Sequence, residues 1–463
     1  MRTLISNGTV VAADGSYPAD VLVDGERIAQ IGSAPGGSAP AADQTIDARG
    51  KYVIPGGIDV HTHMELPFGG TFAKDTFETG TRAAAFGGTT SIVDFAVQSK
   101  GQSLRAGLDA WHAKAEGNAC VDYGFHMIMS DVNDGTLAEM DQLVAEGIPD
   151  FKLFTAYPGV FYSDDGAIFR AMQRTARNGG LIMMHAENGM AIDVVAGDEV
   201  AGGHTDPYFH GVARKAVFEG EATNRVIRLA EAAGVPVYIV HLSALDALEA
   251  VRAARDRGTR AFAETCPQYL FLSLDDLARP EFEGSKFVCS PPLRPKDHQD
   301  SLWRGLRTND LSVVSTDHCP FCFKDQKELG RGDFSKIPNG MPGVEHRMDL
   351  LHQGVAAAEL SLARWVEVAS TTPARMFGLY PRKGIIAPGA DADIVIYDPQ
   401  ATQTLSAQTH HMNVDYSAYE GLPITGQVQT VLSRGQIVID SGDYRGRTGH
   451  GQFLHRELSQ YLI

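Results

Sequence analysis

Between about positions 56 and 384, the chain alternates short apolar runs with longer stretches of helical pattern. The apolar runs include residues 90–95, 123–129, 181–185 and 235–241. Short apolar runs bounded by turn signals are typical of buried strands, and their alternation with helices is typical of a parallel sheet. We therefore predict an α/β fold with a (β/α)₈ barrel over residues 56–384.

The two ends of the chain show a different pattern, in which short strands are broken by turns. Residues 1–55 contain brief apolar segments with Asp-Gly turn signals, and residues 385–443 return to the same pattern. We predict that both ends pair into one small β-sandwich, so that the barrel is an insertion within it. A Gly/Pro/Ala-rich surface loop is expected at 33–42, and a polar C-terminal tail at 444–463.

Composition narrows the class of protein. The 463 residues with 43% hydrophobic content suffice for a barrel core and a smaller second module. A formal net charge of −17 argues against nucleic acid or an anionic membrane as partner. No signal peptide or run of eighteen apolar residues is present, and the five cysteines are too scattered for a disulfide framework, so we expect a cytoplasmic protein.

Candidate metal ligands lie at or just after the ends of apolar runs, where a barrel gathers its catalytic groups. His61 and His63 are two residues apart, so on a strand they point the same way and can bind one cation. His185 and His241 close the predicted fifth and sixth strands, and Asp317 follows the predicted eighth. The alternatives are histidines satisfied by hydrogen bonds and an aspartate that caps a helix.

Lys152 lies in another apolar run and needs a separate argument. Its ammonium would be repelled by metal cations, and burial favours the neutral amine. Carbamylation by CO₂ would convert it to an anion with two oxygens, able to bridge two ions about 3.5 to 4 Å apart. An ordinary ion-paired lysine is the alternative. Cys319 and Cys322 have redox-motif spacing but directly follow the Asp317 segment, so we interpret them as structural.

Seven segments together resemble the dihydropyrimidinases and D-hydantoinases, across nearly the whole chain. They are DVHTH at 59–63, FKLFTAY at 151–157, HAEN at 185–188, HLS at 241–243, CSPPLR at 289–294, STDHCPF at 315–321 and IPNG at 337–340. The wider group is the cyclic amidohydrolases, which share a barrel with a small β-sandwich built from both chain ends. The fragment FTAYPG at 154–159 favours dihydropyrimidinase or hydantoinase over allantoinase.

The resemblance implies a binuclear site, usually of zinc. One ion would be held by His61, His63 and Asp317, and the other by His185 and His241. Lys152, carbamylated to N6-carboxylysine, and a hydroxide would bridge the ions. On the substrate side, the resemblance implies a role for Tyr157 and, at the ureide edge, for Ser290 and the backbone of Asn339.

The implied reaction is hydrolytic opening of a cyclic amide, in 5,6-dihydropyrimidines such as dihydrouracil and dihydrothymine or in 5-substituted hydantoins. The hydroxide would attack the ring carbonyl and give an N-carbamoyl amino acid. Tyr157 would donate to the developing oxyanion, while Asp317 would carry a proton to the departing ring nitrogen. Leu66, Phe68 and Tyr162 are placed to wall the ring substituent, with core packing as the alternative for each.

Other functions stay open at this point. An allantoinase or a dihydroorotase would use the same ligand set, although the latter needs a cation for its substrate carboxylate, and Arg294 is the one nearby candidate. A non-enzymatic, dihydropyrimidinase-like scaffold protein would lack metal ligands, whereas all six positions are kept here. The resemblance also implies a homotetramer.

Overall fold

The computed structural model describes residues 1–32 and 41–461. The N-terminal strands are β1 (Arg2–Ser6), β2 (Thr9–Ala12), β3 (Gly15–Pro18), β4 (Asp20–Asp24), β5 (Arg27–Gly32), β6 (Gln44–Asp47) and β7 (Tyr52–Pro55). Four of them form a sheet in the order β5-β4-β1-β6. The β4–β5 turn contains Gly25 at φ 59°, a backbone conformation that glycine adopts without strain. Most of the loop predicted at 33–42 lies outside the described residues.

The predicted barrel is confirmed. Its region contains β8 (Gly57–Thr62), the short hairpin β9 (Pro67–Phe68) and β10 (Thr71–Phe72), β11 (Thr89–Val97), β12 (Asp122–Ile128), β13 (Asp150–Phe154), β14 (Leu181–His185), β15 (Val237–Ile239), β16 (Ala261–Thr265) and β17 (Val313–Val314). Apart from the hairpin, these strands pair in parallel in the order β17-β16-β15-β14-β13-β12-β11-β8. A parallel bridge between Thr62 and His318 links the two ends of this order, so the sheet is nearly closed.

Helices follow most barrel strands and return the chain to the same end of the sheet. They are α1 (Phe77–Phe86), α2 (Leu104–Ala115), α3 (Asp134–Ala145), α4 (Asp165–Asn178), α5 (Gly189–Ala201), α6 (Tyr208–Ala213), α7 (Ala216–Ala233), α8 (Leu245–Asp256), α9 (Pro267–Phe271), α10 (Leu274–Leu277), α11 (Asp297–Thr308), α12 (Arg347–Ala356), α13 (Leu362–Val366) and α14 (Thr372–Met376). Helix α4 shows how polar residues set the bounds: the Asp164 side chain caps the amide of Ala167, and the helix ends at left-handed Gly179.

The two chain ends share one sheet, as predicted. The C-terminal strands are β18 (Ile394–Thr404), β19 (Pro423–Ser433), β20 (Gln436–Asp440) and β21 (Asp443–Tyr444). They join N-terminal strands in the order β21-β20-β19-β18-β7-β2-β3, with Val395 of β18 opposite Ile54 of β7. Val21 of the four-stranded sheet and Leu432 of the seven-stranded sheet belong to the same buried apolar cluster, so the two sheets pack together. The exact domain boundaries stay predictions.

The polar C-terminal tail packs on the barrel of its own chain. Phe453 forms a bridge with Tyr123, near the start of β12. Arg456 is fully buried, where its guanidinium pairs with the carboxylate of Asp150 and donates to the carbonyl of Phe125. These contacts lie toward the amino ends of the strands, opposite the end where a barrel carries its active site. The tail therefore covers the amino ends of β12 and β13 of its own barrel.

A buried ionic cluster joins the barrel to the β-sandwich. The ammonium of Lys383 lies 2.8 Å from Asp122 and 3.2 Å from Asp391, and it also pairs with Asp393. Because a cation already occupies the centre of these carboxylates, this acidic group serves as an ion-paired joint and not as a second metal centre. Among the residues described, no helix is long and apolar enough to cross a membrane.

Candidate metal centre

A cavity opens at the carboxyl ends of the barrel strands. Ten of the twelve site residues predicted from the sequence line it: His63, Leu66, Phe68, Lys152, Tyr157, His185, His241, Ser290, Asp317 and Asn339. Of the other two, His61 lies directly behind the wall and is fully buried. All six predicted metal ligands therefore lie in or directly behind the wall of this one cavity.

His61, His63 and Asp317 form one compact group. The Nε2 atoms of His61 and His63 lie 3.2 and 3.3 Å from the same Oδ1 atom of Asp317. The pleat of β8 puts both histidines on one side, with ring centroids 5.1 Å apart. Asp317 follows β17 and has φ 51°, a left-handed conformation that an aspartate holds only when its surroundings enforce it. Three ligand atoms thus converge as a divalent cation requires.

Lys152, His185 and His241 extend this group across the barrel. The Nζ atom of Lys152 on β13 lies 2.9 Å from Nε2 of His61 on β8, inside the barrel. The ring centroids of His185 and His241 are 4.6 Å apart, and those of His61 and His241 are 5.3 Å apart. The charge of Lys152 acts on His185 and His241 as well as on His61, so Lys152 is close to both sets of histidines.

Burial prepares these side chains to act as ligands. It lowers the pKa of each of the four histidines, and of His61 and His241 well below 6.5, so the imidazoles are neutral at pH 7. Burial also lowers the pKa of Lys152 to about 8, although the charges of Asp317 and Glu264 favour the ammonium. For Asp317, burial raises the pKa, but the neighbouring histidines and Lys152 outweigh it and bring the value to about 2.

Two buried carboxylates that the sequence analysis missed orient the histidines. Glu264 of β16 accepts a hydrogen bond from Nδ1 of His61, and Glu187 lies 2.8 Å from Nε2 of His185. A charged residue inside the short apolar strand β16 was the available signal for Glu264. A carboxylate behind a metal-binding histidine fixes the ring and leaves the other nitrogen for the metal.

The donor atoms themselves test whether these residues fit the divalent cations that the resemblance implies. One donor atom from each of His61, His63 and Asp317 lies within 4.8 Å of the other two. Nδ1 of His241 is buried and has no hydrogen-bond partner among the described residues. Neutral imidazoles with a carboxylate are a donor set that suits divalent transition metals, and the residues therefore fit.

The other side of the cavity is aromatic. Tyr157 lies beside the ligands at φ 61°, with its ring 5.3 Å from that of Phe68. Burial raises the pKa of Tyr157 to about 12, so the phenol keeps its proton. Phe161, which the sequence analysis did not name, lines the cavity, whereas Tyr162 is not among its lining residues. The role predicted for Tyr162 stays a prediction.

Other polar and thiol groups complete the surroundings. The guanidinium of Arg214 lies 3.0 Å from Glu187 and 5.6 Å from the ring centroid of Tyr157. Cys319, interpreted as structural from the sequence, lines the cavity, and burial raises the pKa of its thiol well above 9. A thiol kept protonated in this way is a poor nucleophile, which agrees with the structural interpretation.

Comparisons with known proteins agree with this geometry. The amidohydrolase family matches residues 52–438. A D-hydantoinase of Streptomyces coelicolor is 67% identical over the whole of this chain and 99% of that protein. A D-hydantoinase of Geobacillus stearothermophilus is 48% identical over 98% of this chain and 97% of that protein. The crystal structure of a dihydropyrimidinase from Brevibacillus agri is similar with a TM-score of 0.97 and 48% identity, over 99% of each chain.

Proposed function

This chain belongs to the amidohydrolase family, in the group of dihydropyrimidinases and hydantoinases, and we propose that it opens the rings of hydantoins and 5,6-dihydropyrimidines by hydrolysis. The reaction breaks a cyclic amide bond and gives an N-carbamoyl amino acid. The observation that carries the proposal is the convergence of all six ligand positions on one cavity, with Tyr157 beside them. Relatives named D-hydantoinase, similar over their whole length, support the same substrate class.

Two divalent ions, zinc by the resemblance, would complete the site. His61, His63 and Asp317 would hold one, and His185 and His241 the other. Lys152 would bridge them as a carbamate, formed when its neutral amine nitrogen bonds to the carbon of CO₂ and releases a proton. The pKa of about 8 supports this step, because only the unprotonated amine has the lone pair that the new bond needs.

When bound, the ions acidify water and polarise the ring carbonyl, which is the chemistry that this family requires of them. The chain supplies proton transfer and orientation. Asp317, ionised at neutral pH, would take the proton of the attacking water and deliver it to the ring nitrogen as the C–N bond breaks. Tyr157 would donate its phenolic hydrogen to the oxygen on which negative charge develops.

Substrate selection would come from the remaining walls. The apolar side chains of Leu66, Phe68 and Phe161 face the cavity and suit an apolar 5-substituent. Ser290 and Asn339 line the cavity close to the side chain of Tyr157, where hydroxyl and backbone groups would hydrogen-bond the ureide edge. The Oγ atom of Ser290 is buried at this place, which supports a role in holding a polar ligand.

Assembly as a homotetramer is part of the proposal. Helix α5 is rich in apolar residues, yet only Gly189 and Ile192 among its residues are buried. Met190 and Val194 on this helix are 57% and 64% exposed, and nearby Val217 is 55% exposed. An apolar helix face of this kind supports a contact with another subunit. The cytoplasmic location stays a prediction.

The test is a substrate panel with the purified, metal-analysed protein. Hydantoin, 5-methylhydantoin and 5,6-dihydrouracil are incubated in parallel with allantoin, and the ring-opened products are measured by mass spectrometry. We expect N-carbamoyl amino acids from the first three compounds. Turnover of allantoin alone would reassign the substrate, and no turnover by a protein without bound metal would favour the scaffold alternative.

A further inference from the structure

One buried carboxylate, Glu264 of β16, contacts metal-ligand candidates on two sides of the barrel. Its Oε1 atom accepts a hydrogen bond from the ring of His61 and, at 3.1 Å, from the backbone N–H of His241. Its Oε2 atom accepts from the hydroxyl of Tyr238 at 2.9 Å. Glu264 is fully buried and does not line the cavity, so it is placed to hold other residues and not to contact substrate.

The contact with His61 fixes the protonation of that ring. In its ionised form Glu264 only accepts hydrogen bonds, so Nδ1 of His61 then carries the hydrogen. The lone pair is then on Nε2, the atom that lies 3.2 Å from Asp317 and 2.9 Å from Lys152. Loss of the carboxylate would allow the ring to rotate or to change tautomer, and Nε2 would no longer be a dependable ligand.

The contact with His241 acts through the main chain. His241 has φ 40°, a strained conformation for a residue with a side chain. A hydrogen bond from its N–H to Glu264 helps to offset that strain, and the backbone conformation sets where the ring points. His241 pairs with His185, with ring centroids 4.6 Å apart, whereas His61 belongs to the group with His63 and Asp317.

We propose that Glu264 is a positioning residue that couples the two metal sites, because one of its oxygens holds a ligand of each ion. The inference rests on the binuclear site of the proposed function and adds a residue to it. Glu187 is the natural comparison, since it is also a buried carboxylate but contacts His185 alone among the ligands. Removal of the Glu264 carboxylate should therefore weaken the binding of both ions, whereas removal of the Glu187 carboxylate should weaken the binding of one.

The experiment measures the metal retained per full-length chain at increasing concentrations of a competing chelator. Wild type is expected to hold two ions. In Glu264→Ala, both should be released at about 10- to 100-fold lower chelator concentration, the usual loss for a residue that orients a ligand. In Glu187→Ala, one ion should be released early and the other at the wild-type concentration. The visible spectrum of the cobalt-loaded proteins should report altered coordination in both variants.

Two further variants separate positioning from a general effect on folding. Glu264→Gln keeps an oxygen that can accept from His61 and His241 and an amide that can donate to Tyr238, so it should recover most of the affinity. Tyr238→Phe removes only the contact to Oε2 and should retain both ions like wild type. Thermal unfolding of the metal-free proteins identifies any variant whose loss of metal follows from loss of fold.

The outcomes are distinct. Release of one ion alone from Glu264→Ala, retention of both at the wild-type affinity, or joint release of both from Glu187→Ala would each overturn the coupling while the proposed function stands. Wild type that holds two ions but opens no cyclic ureide would refute the function and leave the coupling in place. Wild type without metal would overturn both.

Discussion

The pH dependence of activation by CO₂ tests the role of Lys152 most specifically. The perturbation is a change of pH during reactivation of metal-free, CO₂-free protein, at a fixed concentration of dissolved CO₂ and of added metal. Burial lowers the pKa of Lys152 from 10.5 to about 8, which makes about one-tenth of the amine neutral at pH 7. An unperturbed lysine would be only about 0.03% neutral at that pH, so the reactive fraction is about 300-fold larger.

The sign follows from which form reacts. Only the neutral amine reacts, and its fraction grows with pH until the pH passes the pKa of about 8. The reactivation rate should therefore rise about tenfold per pH unit below pH 7 and level off between pH 8 and 9. The assay follows recovery of hydantoin hydrolysis with time after CO₂ and metal are added. Lys152→Ala is the control and should show no recovery that depends on CO₂.

Two results would refute this reasoning. If the rate still rises tenfold from pH 8 to pH 9, the amine titrates as an ordinary lysine and its burial has no chemical consequence. If the metal alone restores full activity in wild type at every pH, with CO₂ excluded, the carbamate is not needed.

Three further substitutions test the substrate side and the fold. Tyr157→Phe should lower kcat by about 100- to 1,000-fold with a much smaller change in KM, because it removes a donor to the developing oxyanion. Steady-state kinetics on hydantoin measure both constants. An increase in KM with an unchanged kcat would contradict the role. Phe161→Ala should lower kcat/KM for 5-phenylhydantoin relative to 5-methylhydantoin by about tenfold or more, and an unchanged ratio would remove Phe161 from the specificity wall. Arg456→Met should destabilise the protein by about 3 to 5 kcal/mol, because it leaves the buried carboxylate of Asp150 without its guanidinium; a thermal midpoint equal to that of wild type would show that the tail does not contribute to stability.

The barrel could be predicted because its strands are short, continuous apolar runs. Both faces of each barrel strand are buried, so β12 and β14 stand out from the helical pattern between them. The placement of the ligands at strand ends followed from the same pattern, since the carboxyl ends of parallel strands meet at one face of a barrel. Their roles as ligands stay predictions until metal binding is measured.

The parts that were missed depend on contacts between residues far apart in the chain. Glu264 and His61 are separated by 203 positions, and neither sequence neighbourhood reveals that the two side chains meet. The choice of Phe161 over Tyr162 as a lining residue depends on the turn geometry after β13, which alternation of polar and apolar residues does not specify. The tail was predicted only as polar, because the partner of Arg456, Asp150, lies some 300 residues earlier in the chain.

The central claim is that this chain holds two divalent ions with which it opens cyclic ureides. The most direct measurement is a titration of metal-free protein with zinc in the presence of CO₂, following hydrolysis of hydantoin and the metal bound per chain. We predict that activity rises with bound metal and reaches its maximum at two ions per chain. Full activity without metal, or a maximum at one ion that the second does not change, would contradict the account.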